Sequence, residues 1–221
     1  MNLPNKITLS RIVAIVAILI AVFVMYIVNL VNPSFVIEAW KLGDAEINPV
    51  FLGLLVFFIL ACITDAMDGH IARSRHLVTN LGKFMDPVAD KLLVNSMLVF
   101  LIAPNLFAPY ALGQVANVSV WCAILMIARD IVVEALRFIA AQKKVVIAAN
   151  IFGKLKTVFQ MVAICFVLAN GFPFSYFDAG FKEGLRISDF LVYIATIISV
   201  ISGVIYVIEG RDALTDKKKE D

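Results

Sequence analysis

Residues 12–31 read IVAIVAILIAVFVMYIVNLV, and the charge-free run continues to Ile37. An apolar stretch of about 20 residues crosses a bilayer as a helix. Val50–Ile63 and Leu92–Met126 are further charge-free runs. With 62% of positions hydrophobic and 16% charged, the 221-residue chain is expected to be a polytopic membrane protein, not a soluble domain. The first run follows Lys6 and Arg11 but outlasts the roughly 7–15 apolar residues of a secretion signal, with no small-x-small cleavage site behind it. It is expected to stay as the first span. Cys62, Cys122 and Cys165 lie in apolar segments without CxxC spacing and are expected to be small core residues. The net charge of +2 gives little hint of partners, and no nucleic acid is expected.

Segments of spanning length fall at about 10–31, 50–73, 86–107, 118–141, 150–171 and 187–209. They are too long for barrel strands, and backbone polar groups in lipid need partners within their own segment, so helices are the expected form. The fold class expected is all-α, one membrane domain over 1–221 with six transmembrane helices. Residues 1–10, which alternate polar and apolar positions after Pro4, are expected to lie along the interface as an N-terminal interfacial helix. Lys6, Arg11, Arg73, Arg75, Lys83, Lys91, Lys143, Lys144, Lys154, Lys156, Arg211 and Lys217–Lys219 gather at one set of ends; Lys41, Lys182 and Arg186 mark the other. That asymmetry puts both termini in the cytoplasm and the protein in the cell membrane. No internal repeat of the inverted-transporter kind is present.

The chemistry concentrates in Asp65-Ala-Met-Asp68-Gly69-His-Ile-Ala72-Arg73 and Gly82-Lys-Phe-Met-Asp86-Pro-Val-Ala-Asp90. Asp65 and Asp68 are three apart and Asp86 and Asp90 four apart, so on helices each pair shares a face, about 60° and 40° around the axis. One pair closes the second span and the other opens the third. Four carboxylates converging there repel one another, and an ionised Asp at a span's centre costs at least about 2.5–3.5 kcal/mol. Divalent cations remove that cost. Oxygen-only donors favour Mg²⁺ or Mn²⁺, and four carboxylates suit two ions about 3.5–4 Å apart. Gly69 and Ala72 leave room for a bulky phosphate-bearing substrate, and Arg73 offers it a guanidinium. Pro87 fits either the first turn of a helix capped by Asp86 or a kink in a helix beginning near Gly82.

The pattern D-x-x-D-G-x-x-A-R-x8-G-x-x-x-D-x-x-x-D, met at each fixed position from Asp65 to Asp90, resembles the signature of the CDP-alcohol phosphotransferase family. The resemblance implies a cytidine-diphosphate donor, attack by an alcohol on its β-phosphorus, and release of CMP. It implies metal ligation by Asp65, Asp68 and Asp86, with Asp90 as the base that takes the alcohol proton while also touching a metal. It further implies a donor, CDP-diacylglycerol, lying against Asn5, Thr8, Asp68, Gly69, Ala72, Arg73 and Gly82, and a homodimer.

Arg129 sits near the middle of the fourth span, where a cation needs a partner or an aqueous cavity. Arg137 follows about two turns later, and Lys154 and Lys156 open the next span in Gly153-Lys-Leu-Lys-Thr157. Together they form a candidate second anion site for an acceptor phosphate. The bland reading pairs Arg137 with Glu134 and sends the lysines to lipid headgroups. Ala128-Arg129-Asp130, Leu136-Arg137, Gly-Lys-x-Lys-Thr and the start Asn2–Arg11 resemble the branch of the family whose acceptor is sn-glycerol 3-phosphate. That branch often carries Glu where this chain has Asp130. Other acceptors compatible with the same chemistry are myo-inositol phosphate, serine and phosphatidylglycerol. A divalent-cation transporter is the alternative from another class, but it calls for acidic residues deep in several spans.

Overall fold

The computed structural model describes residues 3–32, 34, 37, 38, 40–42, 45–74, 80–107, 116–143, 151–177, 181 and 184–214. Arg75, Lys144, Lys182 and Lys217–Lys219, used above for orientation, lie outside them. Among the described residues six long helices carry the fold: α1 (Leu3–Val31), α2 (Pro49–Ser74), α3 (Asn80–Ile102), α5 (Val120–Gln142), α6 (Ile151–Leu168) and α7 (Ile187–Leu214). A four-residue α4 (Pro104–Phe107) follows α3.

Two expectations are corrected. The segment 1–10 is not a separate interfacial helix: from Leu3 to Val31 the chain is one helix of 29 residues. Pro4 falls in the first turn, where its missing N–H costs no bond, and no Gly or Pro interrupts the helix afterwards. The third span does not run 86–107 as one helix. It begins earlier, at Asn80, so Pro87 lies inside it, and it ends at Ile102 with a bend before Pro104. The fold is all-helical as expected, apart from one short pair of strands among the described residues. β1 (Trp40–Leu42) and β2 (Ala45–Ile47) pair antiparallel, Trp40 opposite Ile47 and Leu42 opposite Ala45, in the connection from α1 to α2.

Among the described residues α1, α2, α6 and α7 are long and apolar enough to cross a membrane. At 23 residues each, α3 and α5 are about 34 Å long. They miss the apolar criterion because they carry Asp86, Asp90 and Lys91, and Arg129, Asp130, Glu134 and Arg137. Buried Asp130 shows where such charges can go: into the bundle.

The main core joins α1, α2, α3, α5, α6 and α7 around Ile15, Phe51, Phe58, Leu98, Met126 and Ile164. Outward-facing Val13, Ile20, Phe23 and Ile208 stay exposed, as lipid-facing side chains do. All three cysteines are free, Cys122 fully buried and Cys62 and Cys165 partly so. At its C-terminus α6 closes with Asn170 at φ 53°: the Asn170 N–H donates to the Val167 carbonyl and the Gly171 N–H to that of Phe166. These are the paired bonds of a Schellman cap, with Asn in the left-handed place. The Asn170 side chain also accepts the Ala116 N–H at 2.8 Å, tying this corner to the chain entering α5.

Most extensive of all are the contacts of α7 with α5 and α6. Ala195, Ser199, Ser202, Gly203 and Gly210 let these helices approach closely; a Cβ on Gly210 would stand 2.6 Å from Leu136 Cδ2.

Candidate active site

The start of α1, end of α2, start of α3, second half of α5, start of α6 and second half of α7 meet at one end of the bundle. On α1, Thr8 and Arg11 are three apart and share a face, roughly 4.5 Å along the axis. Thr8 Oγ1 donates to Asp86 Oδ1 at 2.9 Å, and the Arg11 guanidinium pairs with Asp65 Oδ1. One turn of α1 therefore draws together a carboxylate from α2 and one from α3. Thr8 and Arg11 are buried at 1% and 5% exposure, which a polar pair in a lipid-embedded helix requires. Asn5, one turn earlier, is also buried.

Asp65 and Asp90 open onto a cavity of about 820 Å³. Its other walls carry Arg129, Asp130 and Arg137 of α5, Lys154 and Lys156 of α6, and Tyr206 of α7. Asp130 is the electrostatic centre. Its carboxylate accepts Lys156 Nζ at 2.6 and 2.7 Å, Lys91 Nζ at 3.2 Å and Arg129 Nη1 at 3.0 Å. The Asp130 and Lys156 side chains are 1% and 3% exposed, so the pair holds only because each charge meets the other at hydrogen-bonding distance. Among the described residues no carboxylate pairs with Arg137 or Lys154, though both face the cavity. A concave chamber of this size, with Asp65 and Asp90 on one wall and Arg137 and Lys154, without a carboxylate partner among the described residues, on another, suits a small anionic ligand.

The sequence model of the CDP-alcohol phosphatidyltransferase family matches residues 1–205. The chain belongs to that family. A relative from Bacillus subtilis named CDP-diacylglycerol–glycerol-3-phosphate 3-phosphatidyltransferase is 36% identical over 96% of this chain and 97% of its own length. A protein of the same name from Mycoplasma pneumoniae is 35% identical over 93% and 86%. One from Arabidopsis thaliana, with the same name numbered 2, is 34% identical over 93% and 78%. The chain is thus a phosphatidyltransferase, which removes the transporter alternative.

Enzymes of the CDP-alcohol phosphatidyltransferase family are generally dependent on divalent metal. Among the described residues no three His, Cys, Asp or Glu side chains are grouped as a metal site. The side chain of Asp68, the fourth carboxylate expected there, lies outside the described residues, as do those of Ala72 and Arg73 and the surroundings of Gly69. All four positions are on the last turns of α2. The donor chemistry fits a hard cation: Asp65, Asp86 and Asp90 offer oxygen alone, and α1 gathers two of them to one turn. Asp65 keeps lone pairs beyond the one that Arg11 engages.

Gly82 is buried near the start of α3. Arg129, Arg137 and Lys154 share the cavity, whereas Lys156 also lines it but is committed to Asp130. The bland reading of Arg137 fails, since its Nη2 donates to Tyr206 Oη at 2.8 Å rather than to Glu134. Four contributors escaped the sequence reading: Arg11 as partner of Asp65, Lys91 and Asp130 in the charge cluster, and Tyr206. Nothing in the spacing announces a pairing across 26 or 54 positions. A signal for Tyr206 does exist: Ser199, Ser202, Gly203 and Tyr206 follow the i, i+3, i+4, i+7 pattern of one helix face within an apolar span.

Proposed function

We propose that this phosphatidyltransferase moves the phosphatidyl group of CDP-diacylglycerol to sn-glycerol 3-phosphate, giving phosphatidylglycerophosphate and CMP. The observation that carries the reading is one cavity with Asp65 and Asp90 on one wall and Arg129, Arg137 and Lys154 on another. The relatives' shared name supports the same pair of substrates. An acceptor without a phosphate would leave Arg137 and Lys154 with no carboxylate or phosphate opposite them among the described residues, which favours a phosphorylated alcohol over serine or glycerol.

In this reading Asp65, Asp68, Asp86 and Asp90 hold two Mg²⁺ or Mn²⁺ ions. Such ions, when bound, withdraw charge from the β-phosphorus and neutralise the departing CMP. Asn5, Thr8, Gly69, Ala72, Arg73 and Gly82 flank the nucleotide, and the acyl chains remain in lipid. Arg129, Arg137 and Lys154 grip the acceptor phosphate, while Lys156 and Lys91 balance Asp130. Held there, the acceptor presents its free primary hydroxyl towards the β-phosphorus, and orientation alone removes much of the entropic barrier. Asp90 takes the hydroxyl proton as the new oxygen–phosphorus bond forms. The bond from the β-phosphorus to the bridging oxygen breaks, and CMP leaves with that oxygen.

The whole chain acts as one membrane domain of six spans, α3 and α5 crossing with their charges turned inward. The cavity end, rich in Lys and Arg, faces the cytoplasm of the cell membrane, and two copies associate as a homodimer. Purified protein with Mg²⁺ and CDP-diacylglycerol should be offered glycerol 3-phosphate, myo-inositol phosphate, serine and phosphatidylglycerol in turn. A lipid product with the mass of phosphatidylglycerophosphate, formed with one CMP per lipid, is expected. Product with inositol phosphate or phosphatidylglycerol alone would move the chain to another branch; product with serine alone would refute the phosphate site.

A further inference from the structure

The arginines that face the acceptor come from α5, yet the groups that fix their direction come from α7. Arg129 Nη2 donates to Ser202 Oγ at 2.6 Å, and its guanidinium carbon lies 5.6 Å from the centre of the Tyr206 ring. Arg137 lies over the same ring at 5.0 Å and donates to its hydroxyl oxygen. One aromatic side chain, 1% exposed, therefore serves both cations, its negative face offsetting the repulsion between them.

Two glycines clear the space for this arrangement. A Cβ on Gly203 would stand 2.7 Å from Arg129 Cγ, so the arginine stem can cross α7 only over a residue without a side chain. A Cβ on Gly153, which opens α6, would stand 3.1 Å from Tyr206 Oη. The glycine of the Gly153-Lys-Leu-Lys-Thr157 segment thus leaves room for the tyrosine hydroxyl. Val133 and Leu136 hold the ring from the α5 side in a small apolar cluster of their own.

We propose that Ser202, Gly203 and Tyr206 of α7 form a positioning platform for the acceptor phosphate, with Tyr206 setting selectivity for a phosphorylated alcohol. The proposal rests on the acceptor reading above. Ser202 and Tyr206 act through the two arginines, so they are positioning residues and not catalytic ones. A guanidinium locked by a hydroxyl on one edge and by a ring across its face presents its remaining N–H groups in one direction. Released, it would sample rotamers that point away from the cavity.

Steady-state kinetics of Tyr206→Phe, Tyr206→Leu and Gly203→Ala, with each substrate varied separately, test this. Tyr206→Phe keeps the ring and loses one hydrogen bond to a charged group, so KM for glycerol 3-phosphate should rise about tenfold. KM for CDP-diacylglycerol and kcat at saturating acceptor should stay near the parent's. Tyr206→Leu also removes the aromatic face and should raise the acceptor KM further, by about a hundredfold in all. Gly203→Ala should act in the same direction by displacing Arg129. The preference for glycerol 3-phosphate over glycerol should narrow in all three. Tyr206→Phe is isosteric and carries the test if the larger changes impair folding. An acceptor KM unchanged in Tyr206→Phe, or a donor KM that rises equally, overturns the platform. A parent enzyme that makes no lipid from glycerol 3-phosphate overturns instead the acceptor reading beneath it.

Discussion

Replacing Asp130 with Asn keeps the shape of the side chain and removes its charge. Three cations then face one another: Lys156, which was 2.6–2.7 Å from both carboxylate oxygens, Lys91 at 3.2 Å and Arg129 at 3.0 Å. With Lys156 only 3% exposed, its ammonium cannot turn to water without moving α6. Breaking a buried pair by removing one partner costs about 3–5 kcal/mol. For a chain of this size each kcal/mol corresponds to about 2–4 °C, so the melting temperature should fall by about 6–20 °C. Adding Lys156→Met removes the stranded ammonium and should recover part of that loss. The double variant should then be more stable than the sum of the single changes predicts, by at least about 1 kcal/mol. Thermal unfolding of the detergent-purified set, followed by tryptophan fluorescence or circular dichroism, gives all four corners of the cycle. If Asp130→Asn melts within about 1 °C of the parent, or the two changes simply add, Asp130 does not hold the cluster together and the account of this site is wrong.

Asp86→Asn should abolish Mg²⁺-dependent turnover, because an amide is a poor ligand for a hard cation; substantial retained activity would remove Asp86 from the metal site. Asp90→Asn should lose at least about a hundredfold in kcat while still binding CDP-diacylglycerol, as measured by equilibrium binding. Donor binding that falls in proportion to rate would make Asp90 a ligand only. Gly210→Ala places a methyl against buried Leu136 and should destabilise by about 1–3 kcal/mol despite the better helix propensity of Ala. An unchanged melting temperature would show that α5 and α7 can separate to admit it.

Much of the fold was legible because lipid imposes a one-dimensional rule: long apolar runs become helices. The rule faltered where local chemistry mattered more than hydropathy. Residues 3–10 continue into α1 because Thr8 and Arg11 have Asp86 and Asp65 to bind, and only the tertiary structure reveals those partners. The pairing of Trp40–Leu42 with Ala45–Ile47 and the bend before Pro104 are short-range events inside stretches that hydropathy averages away. At the site, Asp65, Asp86 and Asp90 were legible because each pair is spaced on its own helix, and Arg129 because a cation in an apolar span needs a reason. Asp130 was passed over as a variant of Glu, its partner lying 26 positions away on another helix. The α7 face was passed over because Ser, Gly and Tyr carry no charge to attract notice.

The central claim is that one cavity joins a donor held at the aspartates to an acceptor phosphate held at Arg129. Steady-state kinetics of Arg129→Ala and Arg129→Lys, with CDP-diacylglycerol and glycerol 3-phosphate varied separately, test it most directly. Loss of a charge-assisted hydrogen bond to phosphate costs about 1.5–3 kcal/mol, so KM for glycerol 3-phosphate should rise about 10- to 150-fold in Arg129→Ala. Arg129→Lys should also be impaired, since a point charge cannot bond Ser202, Asp130 and a phosphate from one planar fork. Donor KM should barely change in either. An acceptor dependence equal to the parent's in both variants would contradict the claim and assign these cations to the fold alone.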